Sequence, residues 1–482
     1  MSDRGNPAPA PAASAAADTA DLGHGLKVRH LTMMGLGSAI GAGLFLGTGV
    51  GIQAAGPGVL LSYVFAGTIV VLAMRMLGEM ASARPASGAF STYAEMAFGP
   101  WAGFVLGWLY WFMLVMVLGA EITGAGAIMG SWFGVPGWVP GLVCVVFFAI
   151  VNLARVRGFG EFEFWFAFIK VAVIIAFLLI GVALILGLLP GTEFVGTRHI
   201  AESGFLPNGI SGVSAGLLAV AFAFGGIEII TIAAAESEDP RRSIAAAVRS
   251  VIFRILVFYL GCVLVIIMLL PYEEIRGADS AAESPFTRVL EQAHLPGVVG
   301  FMEAIIVLAL LSAFNAQIFA TSRLVYSMSR RGQAPAFFAR VNREAVPYRA
   351  VVMSMFFAFA SVGVQVVFSG SAVLVFLLNA VGGCLLIIWL FIALSQIKLR
   401  PELERGGRLS VRMWGYPWLS WVAVGLILAL TALMVADEVA RDQVYAVLVV
   451  FGALLLTAFL TRSWRHAGRA AAGLDPMDGL RG

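Results

Sequence analysis

Long runs of apolar residues dominate this sequence and recur from residue 32 to residue 462. A helix needs about 20 mostly apolar residues to cross the roughly 30 Å hydrocarbon core of a bilayer, and these runs are long enough. Transmembrane β-strands alternate apolar and polar residues instead, and these runs do not alternate. Only 12% of the residues are charged, whereas soluble domains carry about a quarter. We therefore predict an all-α polytopic membrane protein.

The apolar runs divide into twelve candidate membrane-spanning helices. Their approximate bounds are 32–54, 59–82, 101–130, 137–155, 162–189, 209–235, 248–271, 298–328, 350–369, 372–397, 414–436 and 443–462.

The distribution of Lys and Arg predicts the orientation, because the cytoplasmic connections of membrane proteins are enriched in these residues. With twelve spans and an internal N-terminus, the outer connections hold four of the 31 basic residues, namely Arg198, Arg276, Arg288 and Arg441. Shifting the count by one span removes this asymmetry. We therefore predict an even number of spans, both termini in the cytoplasm and no attached soluble domain.

Two of the predicted spans are interrupted by glycine. The first contains five glycines between Gly35 and Gly47 (GLGSAIGAGLFLG), and each costs roughly 1 kcal/mol relative to Ala in a helix interior. The sixth places the pair Gly225-Gly226 mid-membrane, followed by Glu228. Spans one and six are corresponding members of two five-helix halves, and such a matched pair points to a midplane binding site in transporters with inverted repeats. The alternative is that these glycines only allow close helix packing.

An interrupted helix leaves main-chain N–H and C=O groups without their helical partners. Within the membrane such groups are tolerated only beside a cavity or a ligand. N–H groups at the start of a half-helix suit a carboxylate, and carbonyls at the end of one suit an ammonium group. We assign the substrate carboxylate to Gly41, Ala42 and Gly43, with Ser38 and Ile40 beside them.

The carbonyls of Phe222, Ala223 and Gly225 would accept the substrate amine. The rings of Phe222 and Phe224 would either shutter the site or pack in the core. Two interrupted helices would thus recognise both ends of a zwitterion without a charged side chain.

Ionisable residues inside membrane spans are costly and usually functional. Lys170 lies about 12 Å into span five at 1.5 Å per residue, where an amine kept from water can release its proton. It is a candidate proton carrier, or a lysine that extends to the interface. Glu121 in span three could bind a proton or pair with an amine, or it could bond to the backbone. Glu228 could relay protons or tie the two interruptions together.

Two further polar groups have weaker interpretations. Asn315 in span eight could face the cavity or form a bond between helices. Arg75, Glu79 and Arg84 lie near the inner end of span two and are predicted to form a salt-bridge network there.

Several classes of function lack their sequence signals. The sequence has no Gly-x-x-x-x-Gly-Lys-Ser/Thr loop and no HExxH motif, which argues against a P-loop ATP motor and against a zinc enzyme of that kind. The three cysteines show no metal-ligand spacing. We expect no enzyme activity, cofactor, metal or nucleic acid partner. A channel would call for a filter loop or a ring of polar residues along a pore, and a receptor would call for a soluble sensing domain. We find neither signal in the sequence, so we do not favour these two classes.

Residues 25–465 resemble the amino acid permease family of the amino acid–polyamine–organocation superfamily. The stretches that carry the resemblance are Gly37–Phe45, Ala55–Gly58, Met74–Met80, Gly107–Trp111, Gly160–Lys170, Phe224–Glu228, Ala233–Pro240 and Ser322-Arg323. Within the family the chain is most similar to bacterial GABA permeases, on Leu61–Met80, Thr231–Pro240 and Met413–Trp421.

The resemblance implies a LeuT-like fold of five plus five inverted helices, with helices 1 and 6 broken and two further helices at the C-terminus. It implies proton-coupled import of GABA or a related neutral amino acid through a bacterial inner membrane, with the proton of Lys170 in place of a sodium ion. An exchanger, or a permease for another amino acid such as proline, an aromatic residue, D-serine, D-alanine or glycine, is the alternative.

The expected organisation has four parts. Residues 1–25 form a disordered cytoplasmic tail, 26–399 the transporter core with helices 1 to 10, 400–462 helices 11 and 12, and 463–482 a second tail.

Overall fold

The computed structural model describes residues 40–86, 88–154, 159–225, 228, 240–276, 284–342, 346–368, 370–406, 409–436 and 438–461. The described part of the chain is helical and contains no β-strand. Ser38 and the predicted tails at 1–25 and 463–482 lie outside it.

The α-helices are numbered in chain order. They are α1 (Ala42–Phe45), α2 (Gly47–Ala55), α3 (Val59–Ala83), α4 (Ala89–Phe98), α5 (Pro100–Phe133), α6 (Trp138–Ala154), α7 (Phe159–Ile185), α8 (Arg198–Ser203), α9 (Gly209–Ala223), α10 (Pro240–Arg254), α11 (Gly261–Leu269), α12 (Tyr272–Arg276), α13 (Pro285–Glu291), α14 (Val298–Arg330), α15 (Tyr348–Val364), α16 (Gly370–Arg405), α17 (Trp418–Ala436) and α18 (Glu438–Leu460). Short 3₁₀ turns cover Gly56–Gly58 and Ala336–Ala339, and a π-helical turn at Ile255–Leu260 joins α10 to α11.

Among the described residues, eight helices are long and apolar enough to cross a membrane. The first of them, Ala42–Ala83, covers the first two predicted spans, because only a 3₁₀ turn separates their helices. Three shorter apolar helices, Trp138–Leu153, Gly209–Ala223 and Tyr348–Val364, coincide with the fourth, sixth and ninth predicted spans. The prediction of a multi-pass helical membrane protein is confirmed, whereas the count of twelve and the inverted repeat stay predictions.

Helix α5 lies at the centre of the structure, and local sequence sets its ends. It begins at Pro100, where a missing N–H costs nothing, and it ends before Gly134, which has the left-handed φ of 63° that favours glycine. Its neighbours include α4, α6, α14 and α16. Because α5 is buried on nearly all sides, its apolar residues surround the helix instead of forming one stripe.

The first predicted span is interrupted near its middle. Gly41 is extended, with φ of −154°, and α1 begins directly after it. Leu46 then separates α1 from α2, with φ of −106° and ψ of −45°. Only Gly41 of the predicted carboxylate-binding trio therefore lies outside the helix, whereas Ala42 and Gly43 form its first turn.

The sixth predicted span is also interrupted, because α9 stops at Ala223. The Phe224 N–H donates to the carbonyl of Ala221 (3.1 Å), and the Gly225 N–H donates to that of Phe222 (2.8 Å). Each bond joins residue i to residue i−3, whereas α-helical bonds join residue i to residue i−4. The last turn is therefore tightened, and the helix ends there. Helix α9 packs against α1 and α2, which brings the two interruptions together.

A buried carboxylate ties one end of α3 to the C-terminal part of the chain. Glu79 is fully buried and accepts hydrogen bonds from the Arg400 guanidinium, the Gln396 amide (2.7 Å) and the Met413 N–H (2.5 Å). The ion pair is thus backed by further hydrogen bonds, which is the condition under which a buried pair is stable.

Two more arginines extend this network. Arg84 pairs with Glu402 at 2.9 Å. The Arg75 Nε donates to the Arg412 carbonyl at 2.8 Å, and its guanidinium lies 4.5 Å from the centre of the Trp414 ring. Glu79 and Arg84 thus form salt bridges at this end of the second span, with Arg400 and Glu402 as their partners.

We expect Glu79→Gln to lower the thermal unfolding midpoint of the purified protein strongly. Removing one partner of a buried ion pair costs about 3–5 kcal/mol, because the other charge stays buried. Glu402→Gln is the matched control, since its pair is 28% and 33% exposed and exposed pairs contribute roughly 0–1 kcal/mol. Equal midpoint shifts for the two variants in detergent would contradict this ranking.

Candidate functional site

The two interrupted helices touch at Gly43 and Ala223. A Cβ atom at Gly43 would lie 2.7 Å from the Cα of Ala223 and 3.1 Å from its carbonyl oxygen. Side chains do not approach main chain so closely, so only glycine allows this contact. The start of α1 and the end of α9, which the sequence assigned to opposite ends of one substrate, are therefore direct neighbours.

The main chain at the start of α1 already binds a carboxylate. The Ala42 N–H donates to the Oε2 of Glu121, with an N···O distance of 3.0 Å. A Cβ atom at Gly41 would lie 2.5 Å from the other carboxylate oxygen, so the absence of a side chain at Gly41 makes room for Glu121. The N–H groups predicted to receive a substrate carboxylate are thus chemically suited to one, and in this conformation α5 supplies it.

The carbonyls predicted to accept the substrate amine have partners within the protein. The hydroxyl of Tyr259 donates to the Ala223 carbonyl at 2.8 Å, and the Gly225 N–H occupies the carbonyl of Phe222. A carbonyl oxygen has two lone pairs, so each retains a second acceptor direction. Tyr259 belongs to the π-helical turn, a feature that is frequent at functional sites.

Phe224 and Phe222 pack in the core in this conformation. The ring of Phe224 is fully buried, and its centre lies 5.0 Å from that of Tyr259 and 5.9 Å from that of Tyr63. Phe222 is 2% exposed, and its ring lies beside Gly47. Of the two interpretations of these rings, packing describes the conformation observed.

Lys170 lies in a buried cluster of charged side chains. Its Nζ is 4.0 Å from the Oε1 of Glu163, and the two side chains are at most 1% exposed. It also interacts electrostatically with Glu121. The lysine does not reach a surface, and its neighbour Glu121 is the residue that holds the Ala42 N–H.

Asn315 and Glu228 make contacts of their own. The Asn152 amide on α6 donates to the Oδ1 of Asn315 on α14 at 2.9 Å, which is a bond between helices. The indole N–H of Trp389 donates to Glu228 at 3.2 Å, so the residue that follows the sixth-span interruption is tied to α16.

Sequence reasoning missed Glu163, Ser312 and Tyr259. The signal for Glu163 was available, because it precedes Lys170 by about two helical turns and residues so spaced share a face. Ser312 and Tyr259 are uncharged polar residues within largely apolar segments, so no strong sequence signal marks them. The packing of α14 brings Ser312 to Glu163, and the π-helical turn brings Tyr259 to the Ala223 carbonyl.

Comparisons with known proteins identify the family and its relatives. The family model for amino acid permeases matches residues 30–470. The chain is 67% identical to the aromatic amino acid transport protein AroP of Corynebacterium glutamicum, over 94% of this chain and 98% of that protein. It is 41% identical to the gamma-aminobutyric acid permease of Bacillus subtilis, over 93% and 95%.

Among solved structures, a manganese transporter of Eremococcus coleocola shares the fold. The two superpose with a TM-score of 0.53 at 14% sequence identity, over 92% of this chain and 95% of the other. At this identity the likeness concerns the fold alone.

We expect Gly43→Ala to lower the unfolding midpoint and the yield of monodisperse protein, because the added methyl group forces α1 and α9 apart. Overpacking of this kind costs about 1–3 kcal/mol. Gly47→Ala is the control, since its Cβ would meet nothing nearer than 3.4 Å. If Gly43→Ala melts and elutes like the Gly47→Ala variant, the close contact of the two helices is wrong.

Proposed function

Because the chain belongs to the amino acid permease family and is a multi-pass amino acid transporter, we propose that it imports an aromatic amino acid together with a proton. The relative that is 67% identical is named an aromatic amino acid transport protein. The relatives named GABA permeases are 41% and 40% identical. The identity difference favours an aromatic cargo over the GABA that the sequence resemblance implied.

The hydrogen bond from Ala42 to Glu121 is the observation that carries the proposal. In this bond, a main-chain N–H group at an interrupted helix binds a carboxylate. A substrate carboxylate has the same chemistry and would take the same N–H once Glu121 moves aside. The cargo is therefore an amino acid bound through its backbone groups, and other residues of the protein would recognise its side chain.

The close contact of α1 and α9 favours an α-amino acid. The carboxylate and the amine of an α-amino acid are attached to one carbon atom, whereas three carbons separate them in GABA. The start of α1 and the Ala223 carbonyl lie side by side, since Gly43 touches Ala223. Ala42 N–H and the Ala223 carbonyl can thus hold two groups that are close together.

GABA is the second candidate, because two GABA permeases match nearly the whole chain. To hold it, the interrupted helices would have to separate, so that the carboxylate and the amine could each reach their main-chain partner.

For coupling, we assign the proton to the buried charge cluster around Lys170, to which Glu121 belongs. Both are buried and interact electrostatically, and Glu121 also holds the substrate-binding N–H. Glu228, tied to Trp389, would hold the end of the sixth-span interruption during the cycle. We place the protein in the inner membrane of a bacterium, with both termini in the cytoplasm, and expect no cofactor.

The first test is uptake by proteoliposomes that are acidic outside. We expect labelled phenylalanine, tyrosine or tryptophan to accumulate, a protonophore to abolish the accumulation, and unlabelled aromatic amino acids to compete better than GABA. Stronger competition by GABA would reverse the choice of cargo. Accumulation that survives the protonophore would reject proton coupling.

We expect Lys170→Ala to lose proton-driven accumulation while it keeps some substrate binding, because the variant removes the cation that faces Glu121. Lys398→Ala is the matched control, since Lys398 is exposed and lies over the Phe98 ring. Uptake and tryptophan-fluorescence titration at equal protein amounts compare the two variants. Uphill accumulation by Lys170→Ala would show that Lys170 does not take part in coupling.

A further inference from the structure

The buried charge cluster contains a carboxyl group that the proposed function leaves without a role. Glu163 stands about two helical turns before Lys170 on α7, and its side chain is 1% exposed. The Ser312 hydroxyl donates to its Oε1 at 2.9 Å. Its second oxygen, Oε2, is buried and has no hydrogen-bond partner within the part of the chain that the structure describes.

The cluster holds two acids and one base. Lys170 interacts electrostatically with both Glu163 and Glu121. If all three groups were ionised, the cluster would carry one uncompensated negative charge inside the membrane. A buried charge without a partner is strongly unfavourable, so we infer that the resting cluster binds one additional proton and is neutral.

The geometry places that proton on Glu163. Each acid accepts one hydrogen bond, Glu121 from the Ala42 N–H and Glu163 from the Ser312 hydroxyl, so the second oxygen of Glu163 decides. An ionised Glu163 would leave its buried Oε2 charged and without a donor among the described residues, which is costly. The Lys170 ammonium is then balanced by Glu121 while Glu163 is a neutral acid.

Among the described residues, the charge that acts on Glu163 is that of Lys170, although the neighbouring helices carry further titratable groups. Helix α7 packs against α11, α13 and α14. The titratable residues of these helices are Cys262 on α11, Arg288 and Glu291 on α13, and Glu303, Arg323, Tyr326 and Arg330 on α14. Of all the described residues, only Lys170 acts on Glu163 through its charge.

We propose that Glu163 binds the transported proton and that this proton makes Lys170 available to Glu121 when a substrate carboxylate takes the Ala42 N–H. The inference rests on the proposed function and adds the proton-binding residue to it. While Glu163 is protonated, a displaced Glu121 carboxylate is neutralised by Lys170. When the O–H bond of Glu163 breaks and its proton passes to water, the Glu163 carboxylate takes Lys170 as its own counter-charge. Glu121 then keeps the Ala42 N–H, so substrate and proton bind and leave together.

Glu163→Gln separates this role from a structural one, because glutamine has nearly the same shape but cannot ionise. We expect the variant to exchange labelled for unlabelled phenylalanine across proteoliposomes at a rate that no longer depends on pH. We expect it to lose accumulation driven by a proton gradient. The wild type should exchange more slowly as the pH rises, because deprotonated Glu163 withdraws Lys170 from Glu121.

Glu303→Gln is the matched control. Glu303 lies near the start of α14, before Ser312, and accepts a hydrogen bond from the Trp132 indole N–H at 2.7 Å. Its variant should therefore accumulate substrate like the wild type. Uphill accumulation by Glu163→Gln, a wild-type pH dependence of its exchange, or loss of exchange by folded variant protein would each overturn the proposal.

If Glu163→Gln is not recovered as folded protein, Glu163→Asp is the variant that tests the proposal. The shorter acid can still ionise but stands farther from Lys170, so we expect coupled uptake with a displaced pH profile, and an unchanged profile would refute the proposal. Failure of the wild type itself to accumulate any amino acid under a proton gradient would reject the proposed function before these variants are compared.

Discussion

The hydrogen bond between the Ala42 N–H and the Glu121 carboxylate is the contact on which the site depends. A bilayer offers no water to bared main-chain groups, so an interrupted helix must find its partners inside the protein. Glu121 provides one from the centre of α5, and the glycine at position 41 leaves the space for it. In the proposed function, a substrate carboxylate takes the place of Glu121 in this bond, so the site would recognise the backbone carboxylate of an amino acid.

Placing a carboxylate at that position creates an electrostatic requirement. Glu121 is 3% exposed, and Lys170 is the cation that faces it. Glu163 lies on the same helix as that lysine, with its Oε1 4.0 Å from the Nζ of Lys170. Two acids that share one base cannot both be ionised cheaply. In the proposed cycle, the charge of the cluster links the binding of a proton to the position of Glu121, without any contact between the proton and the substrate.

The protein uses buried carboxylates in two different ways. Glu79 accepts hydrogen bonds from three donors and holds α3 to the end of α16. Glu163 accepts one hydroxyl, and its second oxygen has no donor among the described residues. Incomplete hydrogen bonding leaves protonation as an alternative for a buried carboxyl group. The same residue type is thus structural at one place and the proposed proton site at the other.

The sequence by itself determined that the chain is a multi-pass helical membrane protein, because length and apolar content decide what a bilayer accepts. It also indicated interruptions at Gly41 and before Gly225, since glycine is a poor helix former, and it singled out Lys170 and Glu121 because charges inside spans are costly. Tertiary structure alone decided the partners. The contact of Gly43 with Ala223, the Glu121 carboxylate on the Ala42 N–H and the Ser312 hydroxyl on Glu163 depend on how distant helices pack, and local sequence does not specify which side chain an opposing helix presents.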